Sequence, residues 1–476
     1  MAHWDRRTGC GMIKARVRLG WLCLFAVAAG PAMAQPRTLQ DALAQAYSNN
    51  PTLQASRAQL RATDEGVPQA LAGWRPQVVL SAGVGYAVGD FRTVSAFNGP
   101  THTRNNRDIF TDQAALTQPI YKGGATRAGT NQADNRVFGQ RARLIASEQQ
   151  VFSDTVNAFV NVIQTQQILQ LNINNEQVLA RQLQATNDRF RVGEITRTDV
   201  AQAEAALAGA RAQRQTGEGN LQTARSVYQR QVGQLPDQLV EPQPLKLPLK
   251  NQNEVTQIAS QNNPNVIAAQ FDNASARDAI DLAFSQLMPQ VSVQVQGARS
   301  DNASLANQRS IGAQAVLNAS IPLYQGGAEY SKIRQARQSE QQSRKTVDDT
   351  RRQAVQLAAQ SWETLVAARF TIESTRAQIR ANQIALEGVQ REAIVGSRTT
   401  LDVLNAEQAL LNSRVTLVQN LSNLVTASYT VAASIGRLTA RDLGLAVPLY
   451  DETAYYNAVR GKWFGTSDAA TDQPGR

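Results

Sequence analysis

Cysteine and histidine are nearly absent from this chain, with two of each in 476 residues. Both cysteines, Cys10 and Cys23, fall in a leading segment read below as cleaved. The remaining chain therefore has no disulfide framework, thiol nucleophile, cysteine metal site or lipidation cysteine. His3 lies in the same segment, which leaves His102 alone: no histidine metal cluster, and one candidate for a histidine triad. Carboxylates remain, but no nucleophile motif, glycine-rich phosphate loop or metal constellation accompanies them. The sequence predicts no catalytic residue, no cofactor and no metal, and so no enzyme.

Long apolar runs are also lacking. The clearest one runs from Leu19 to Gly30, about a dozen residues against the roughly 20 that a spanning helix needs. Arg6, Arg7, Lys14, Arg16 and Arg18 precede it, and Ala32-Met33-Ala34 offers a small-residue cleavage site. That layout predicts a secretory signal peptide over 1–34, with Met1 and Met12 as alternative starts. An exported chain with no later spanning run is soluble or crosses a membrane as a β-barrel. The net charge of +10 falls to +6 without the leader, and no polybasic block marks a nucleic-acid partner.

Proline is missing from 120–235 and 323–447, although the chain has sixteen. Both stretches are rich in Ala, Gln, Arg, Leu and Glu, which favour helix. Leu365, Ile372, Ile379 and Leu386 keep a seven-residue beat in the second. Val162, Leu169, Leu183 and Phe190 keep it in the first, interrupted at Glu176. Sustained heptads predict long helices packed at coiled-coil angles.

An internal repeat organises the rest. Asn50-Pro51 returns as Asn263-Pro264, and Arg75-Pro76-Gln77 as Met288-Pro289-Gln290, 213 residues later. Beyond them the offset is 203: Tyr121-Lys122-Gly123-Gly124 with Tyr324-Gln325-Gly326-Gly327, Val192-Gly193 with Val395-Gly396, Asp199 with Asp402. A longer loop in the first copy absorbs the difference. Ahead of each long helix the apolar residues alternate: Leu80, Ala82, Val84, Tyr86 and Val88; Val291, Val293 and Val295; Ile311 to Ile321. A weaker partner spans 110–117, with polar loops at 90–108 and 298–310. One apolar and one polar face suit a barrel wall; a sheet on a soluble core gives the same alternation, but four such strands flanking very long helices favour the barrel. Four strands cannot close around a lumen, so a barrel requires copies to pool strands, twelve from three.

The segment Val395-Gly-Ser-Arg-Thr-Thr-Leu-Asp-Val-Leu-Asn-Ala-Glu-Gln408, its repeat at 192–200 and the two Gly-Gly turns resemble the TolC family of outer-membrane channel-tunnels over essentially the whole mature chain. The resemblance implies an α+β, mostly α, homotrimer: a twelve-stranded transmembrane β-barrel continuing into a periplasmic α-helical barrel. The expected order is a signal peptide over 1–34 and a first repeat over 35–240, with strands about 76–118 and a helical hairpin about 125–235. A linker in an equatorial collar (241–262) follows. The second repeat covers 263–447, with strands about 289–321 and a hairpin about 328–437, and an equatorial tail covers 448–476. The implied role is a passive exit duct for type I protein secretion or multidrug efflux in the outer membrane of a Gram-negative bacterium. Its partners would be outer-membrane lipid, a periplasmic adaptor and an inner-membrane ABC or proton-driven transporter. The alternative is a periplasmic coiled-coil adaptor, although two equivalent hairpins, each preceded by amphipathic strands, argue against it.

Gly193 and Gly396 sit where a left-handed residue ends a helix, and Thr196 with Asp199, and Thr399 with Asp402, have capping-box spacing. Two readings stand for the aspartates: capping alone, or in addition an anionic ring of Asp402 on a three-fold axis. The resemblance implies a periplasmic gate with Asp402 and the matching position Asn405 in that ring, and Arg398 latched to Thr198 and Asp199. A latch tyrosine of the family is replaced by Ala393, which implies a looser latch. Val192, Gly193, Val395 and Gly396 are the implied adaptor contacts.

Overall fold

A computed structural model describes residues 37–467, apart from 96, 98 and 304–306. The signal-peptide reading of 1–34 and the last nine residues of the tail, 468–476, lie outside the described residues. The first copy runs α1 (Leu39–Asn49), α2 (Pro51–Asp64), α3 (Gly66–Leu71), β1 (Gln77–Ser95), β2 (Gly99–Lys122), α4 (Ala125–Arg191) and α5 (Arg197–Val232). The second runs α6 (Gln252–Asn262), α7 (Pro264–Phe284), β3 (Gln290–Asp301), β4 (Arg309–Ser320), α8 (Ala328–Ile394) and α9 (Thr400–Ser434), followed by α10 (Ala454–Arg460). Among the described residues no helix is long and apolar enough to cross a membrane.

The repeat extends to individual contacts. Asn50 and Asn263 each cap the helix that Pro51 or Pro264 opens, accepting the amides of Thr52 at 2.9 Å and Asn265 at 3.0 Å. The same two side chains donate across the fold, to Gln231 O and Ser434 O, both at 3.1 Å. These partners are 203 residues apart, so each copy ties its short helix to the end of its return helix in one way. The copies differ at one break. α7 is continuous over 21 residues, whereas its counterpart splits into α2 and α3 at Glu65. Pro68 has no N–H for the carbonyl of Asp64, so the ladder stops there.

α4 and α8 have 67 residues each, about 100 Å at 1.5 Å per residue. α5 returns along α4, and α9 along α8. Leu365, Ile372 and Leu386 are buried on the heptad seam, and so is Val162. Where Glu176 interrupts the beat, its carboxylate takes Arg211 at 3.4 Å and Arg214 at 3.1 Å from α5, so a cluster of three charges fills the apolar slot. The main core lies nearer the strands, where Phe152, Phe159 and Tyr228 pack with Leu43, Leu53 and Leu60. Near the far end a smaller cluster joins the two hairpins through Leu179, Leu207, Ala210 and Leu404.

The four strands form one antiparallel sheet in chain order. Residues directly opposite one another share a face. The register aligns Val78 with Leu116, Val295 and Ala315, Leu80 with Ala114, Val84 with Phe110, and Val293 with Leu317. The four alternating patterns therefore lie on a single apolar face. The opposite face carries Ser81, Gln113, Gln294, Gln296, Gln314 and Asn318, with amide hydrogen bonds from Gln113 to Gln296 at 3.3 Å and from Asn318 to Gln294 at 3.4 Å. No helix among the described residues covers the apolar face: Leu80 is 78 % exposed and Val84 83 %. A soluble core would have buried these side chains. Pro119, without an N–H, sits at a register shift in β2.

Three boundaries differ from expectation. The polar segment 90–108 is not a loop: β1 and β2 pair out to Ser95 and Gly99, with Asp90 opposite Arg104 and Arg92 opposite His102. Backbone bonds carry the hairpin past the apolar band, where hydropathy gives no cue. In the second copy the strands likewise enter the expected loop, to Asp301 and from Arg309, which Asp301 holds at 2.9 Å. The last part of the 241–262 linker is α6, the counterpart of α1, capped by Asn251 and burying Val255 and Ala259. Only those two residues carry its burial, too little for a visible period.

Candidate functional site

At the ends of α4 and α8 the backbone reverses through glycine. Gly193 has φ +79° and Gly396 φ +81°, a region that a side chain disfavours. Glu194 N–H bonds Arg189 O at 3.0 Å, and Ser397 N–H bonds Glu392 O at 3.0 Å, closing both helix ends in the left-handed manner. Three residues later the return helices start. Thr196 donates its hydroxyl to Asp199 at 2.7 Å and Thr399 to Asp402 at 2.9 Å, while the aspartate amides return to the threonine oxygens at 3.4 and 3.3 Å. Both boxes are formed. The Thr399 amide and hydroxyl, with Arg398 nearby, hold the Asp402 carboxyl below the usual aspartate range, so it is charged well into acid.

The two turns invert one charge pair. Arg189 of the first tip bonds Glu194 at 2.6 Å. Its counterpart in the second is Glu392, which accepts Arg398 Nε at 2.9 Å. Within one chain Arg398 is therefore engaged by Glu392, and Asp199 by Thr196; the fold does not bring Arg398 onto Thr198 or Asp199. Thr198 is exposed on the first turn of α5, Asn405 is exposed one turn along α9 from the half-buried Asp402, and Ala393 is buried.

Val192 and Val395 are each 77 % exposed beside their glycines, an apolar side chain offered to solvent at each tip. Ile394 projects equally and was missed by sequence reasoning; its counterpart is Arg191, so the repeat gives no signal for it. Among the described residues, no group of three or more His, Cys, Asp or Glu side chains stands close enough to hold a metal ion.

The aromatic tail, for which the sequence offers no specific partner, is a strap on the opposite end of the helices. Arg57 is sandwiched between the rings of Tyr47 at 4.5 Å and Tyr450 at 5.2 Å. Tyr455 donates to Glu65 at 2.8 Å, Tyr456 to Asp134 at 2.7 Å, and Arg75 to Lys462 O at 2.7 Å beneath the Trp463 ring. Beside the strap Asp64 is buried with neither oxygen hydrogen-bonded among the described residues, and burial pushes its carboxyl up to about 7 against the pull of Arg141.

A family model described as "Outer membrane efflux protein" matches residues 42–229 and 255–437, one segment per copy of the repeat. The outer membrane efflux protein BepC of Brucella suis is 34% identical over 433 residues, which cover 90% of this chain and 91% of that protein. The proteases secretion protein PrtF of Dickeya chrysanthemi is 24% identical over 429 residues, covering 86% and 90%. Among solved structures, the CmeC outer membrane channel of Campylobacter jejuni superposes with a TM-score of 0.74 at 14% identity, covering 89% of each chain.

Proposed function

We propose, from the premise that this chain belongs to the outer membrane efflux protein family, that its two tip turns are the gate and docking end of a passive exit duct. The protein is an outer-membrane channel for efflux and type I secretion. Each copy supplies four strands to a twelve-stranded barrel, which continues into a helical tunnel in the periplasm. The observation that carries this reading is the sheet: one apolar face left bare, one amide-lined face, and two edges, β1 and β4, unpaired among the described residues of the chain.

Three Asp402 side chains, with Asn405 one turn above, would ring the narrow end and favour cations. Arg398, exposed on its turn, can exchange Glu392 for Thr198 and Asp199 of the neighbouring copy when the tips converge. Ala393 supplies no further bond, so this latch is looser than one with a tyrosine there. Val192-Gly193 and Val395-Gly396 meet a periplasmic adaptor, with an inner-membrane ABC or proton-driven transporter driving the cargo. We assign the chain no reaction of its own. The halves divide near 252, where α6 begins.

Conductance of the detergent-purified protein across a planar bilayer tests the reading. Discrete cation-selective openings from a trimer are expected. A monomer without openings overturns it.

A further inference from the structure

Inside one chain, α7 fills a groove on α4. Asn135 donates to Asp278 at 2.7 Å, Gln132 to Ser275 O at 3.5 Å, Arg143 pairs with Asp272, and the rings of Phe138 and Phe271 lie 5.3 Å apart. The repeat maps α4 onto α8 at an offset of 203, and α7 onto α2 and α3 at an offset of 213. If that seam were copied within the chain, α2 would lie on α8. It does not: α2 packs on α4, and α8 packs on α6, α7 and α9.

Most of the residues that the copied seam would use are nonetheless exposed. On α8 they are Gln335, Gln338 and Thr346, the counterparts of Gln132, Asn135 and Arg143, and all three are exposed. Facing them would be Ala62, Glu65 and Gln59, the counterparts of Ser275, Asp278 and Asp272; Ala62 and Gln59 are exposed and Glu65 is half-buried. A free groove at one side of the chain and a free ridge at the other, related to a filled seam by the repeat, is the arrangement a closed ring of copies requires.

We infer that α8 of one copy receives α2 of the next in the register Gln335 to Ala62, Gln338 to Glu65 and Thr346 to Gln59. This rests on the trimeric reading above and adds the seam and its register. Gln338 would donate its amide to the Glu65 carboxylate as Asn135 does to Asp278, with both side chains one carbon longer. The remaining contacts change character. Gln341 and Ala58 stand at the places of the Phe138–Phe271 ring pair, and Thr346 and Gln59 at those of the Arg143–Asp272 ion pair. The seam between copies is thus held by an amide–carboxylate bond, without the ring pair and the arginine–aspartate ion pair that fasten the seam inside each copy. Tyr455 already bonds Glu65, so the C-terminal strap borders this seam and orients its carboxylate.

Disulfide trapping reads the register directly, because the chain beyond residue 34 has no cysteine. Ala62→Cys with Gln335→Cys, oxidised in isolated outer membranes, is expected to give covalent dimers and trimers on a non-reducing gel. Glu65→Cys with Gln338→Cys is expected to give the same. Ala62→Cys with Gln342→Cys, one heptad or about 10 Å along α8, is expected to stay unlinked. A protein that is trimeric in detergent but links only in the shifted pair, or in none, overturns the seam while leaving the duct intact. A protein that is not trimeric at all overturns both.

Discussion

Glu392 holds the guanidinium of Arg398 at 2.9 Å across the second tip turn, where the first turn holds Arg189 to Glu194 with the charges exchanged. The two tips share a backbone and differ in polarity. In the second turn the arginine stands on the return side and its carboxylate partner on the outgoing helix, and that arginine can leave an intramolecular partner for an intermolecular one.

This makes Arg398 and Glu392 opposite in effect. Arg398→Ala should raise single-channel conductance, because the closed tip loses its latch. Glu392→Gln should lower it, because the competitor for Arg398 is gone. Both effects should shrink in high salt, since the groups are exposed. Equal shifts in the two variants would reduce the pair to a local brace.

Asp402 should remain anionic below the ordinary aspartate range, since Thr399 stabilises its charged form. Cation selectivity of the closed channel should therefore survive moderate acid and fade only at lower pH. The bonds that start α9 fade in the same window, because a depressed acid contributes its stability above its titration and loses it as pH falls through it. Asp402→Asn should abolish the selectivity at neutral pH. Reversal potentials measured across a pH series decide this.

Asp64 behaves in the opposite sense. Its carboxyl, raised to about 7, binds a proton in the folded state that the unfolded chain has already released. Stability should therefore fall as pH rises from about 4 to about 7, by on the order of a few kcal/mol, and level off above. Asp64→Asn should remove this slope. Thermal melts at pH 5 and pH 8 with an unchanged difference in the variant would contradict the assignment.

Tyr228 is fully buried, its hydroxyl has no hydrogen-bond partner among the described residues, and burial pushes the phenol up to about 12. Tyr228→Phe should be neutral or stabilising by about 1 kcal/mol, since it deletes an unpaired buried polar group. Tyr228→Ala should cost about 3–5 kcal/mol through the cavity left beside Phe159. A destabilised phenylalanine variant would reveal a partner for the hydroxyl.

The apolar tip residues should act on partners rather than on the fold. Val192→Asp with Val395→Asp should leave trimer yield unchanged and abolish co-purification of a cross-linked adaptor. Retained cross-linking would move the docking surface elsewhere, with Ile394 the next residue to test.

Local rules determined much of this protein from the chain alone. Proline-free heptads fix two helices of 67 residues, glycine at positive φ ends them, threonine and aspartate three apart begin the next, and alternation marks strands whose apolar sides fall on one face. Each of these depends on neighbours within a few residues, so the sequence carries them openly. What it withheld depended on distant partners. The Glu392–Arg398 pairing, the burial of Asp64, the docking of Tyr455 and Tyr456, and the extension of the β1–β2 hairpin to Ser95 were decided by packing and by backbone bonds between segments. Exposed charges and lone aromatics have no period, and only the folded chain determines what stands opposite them.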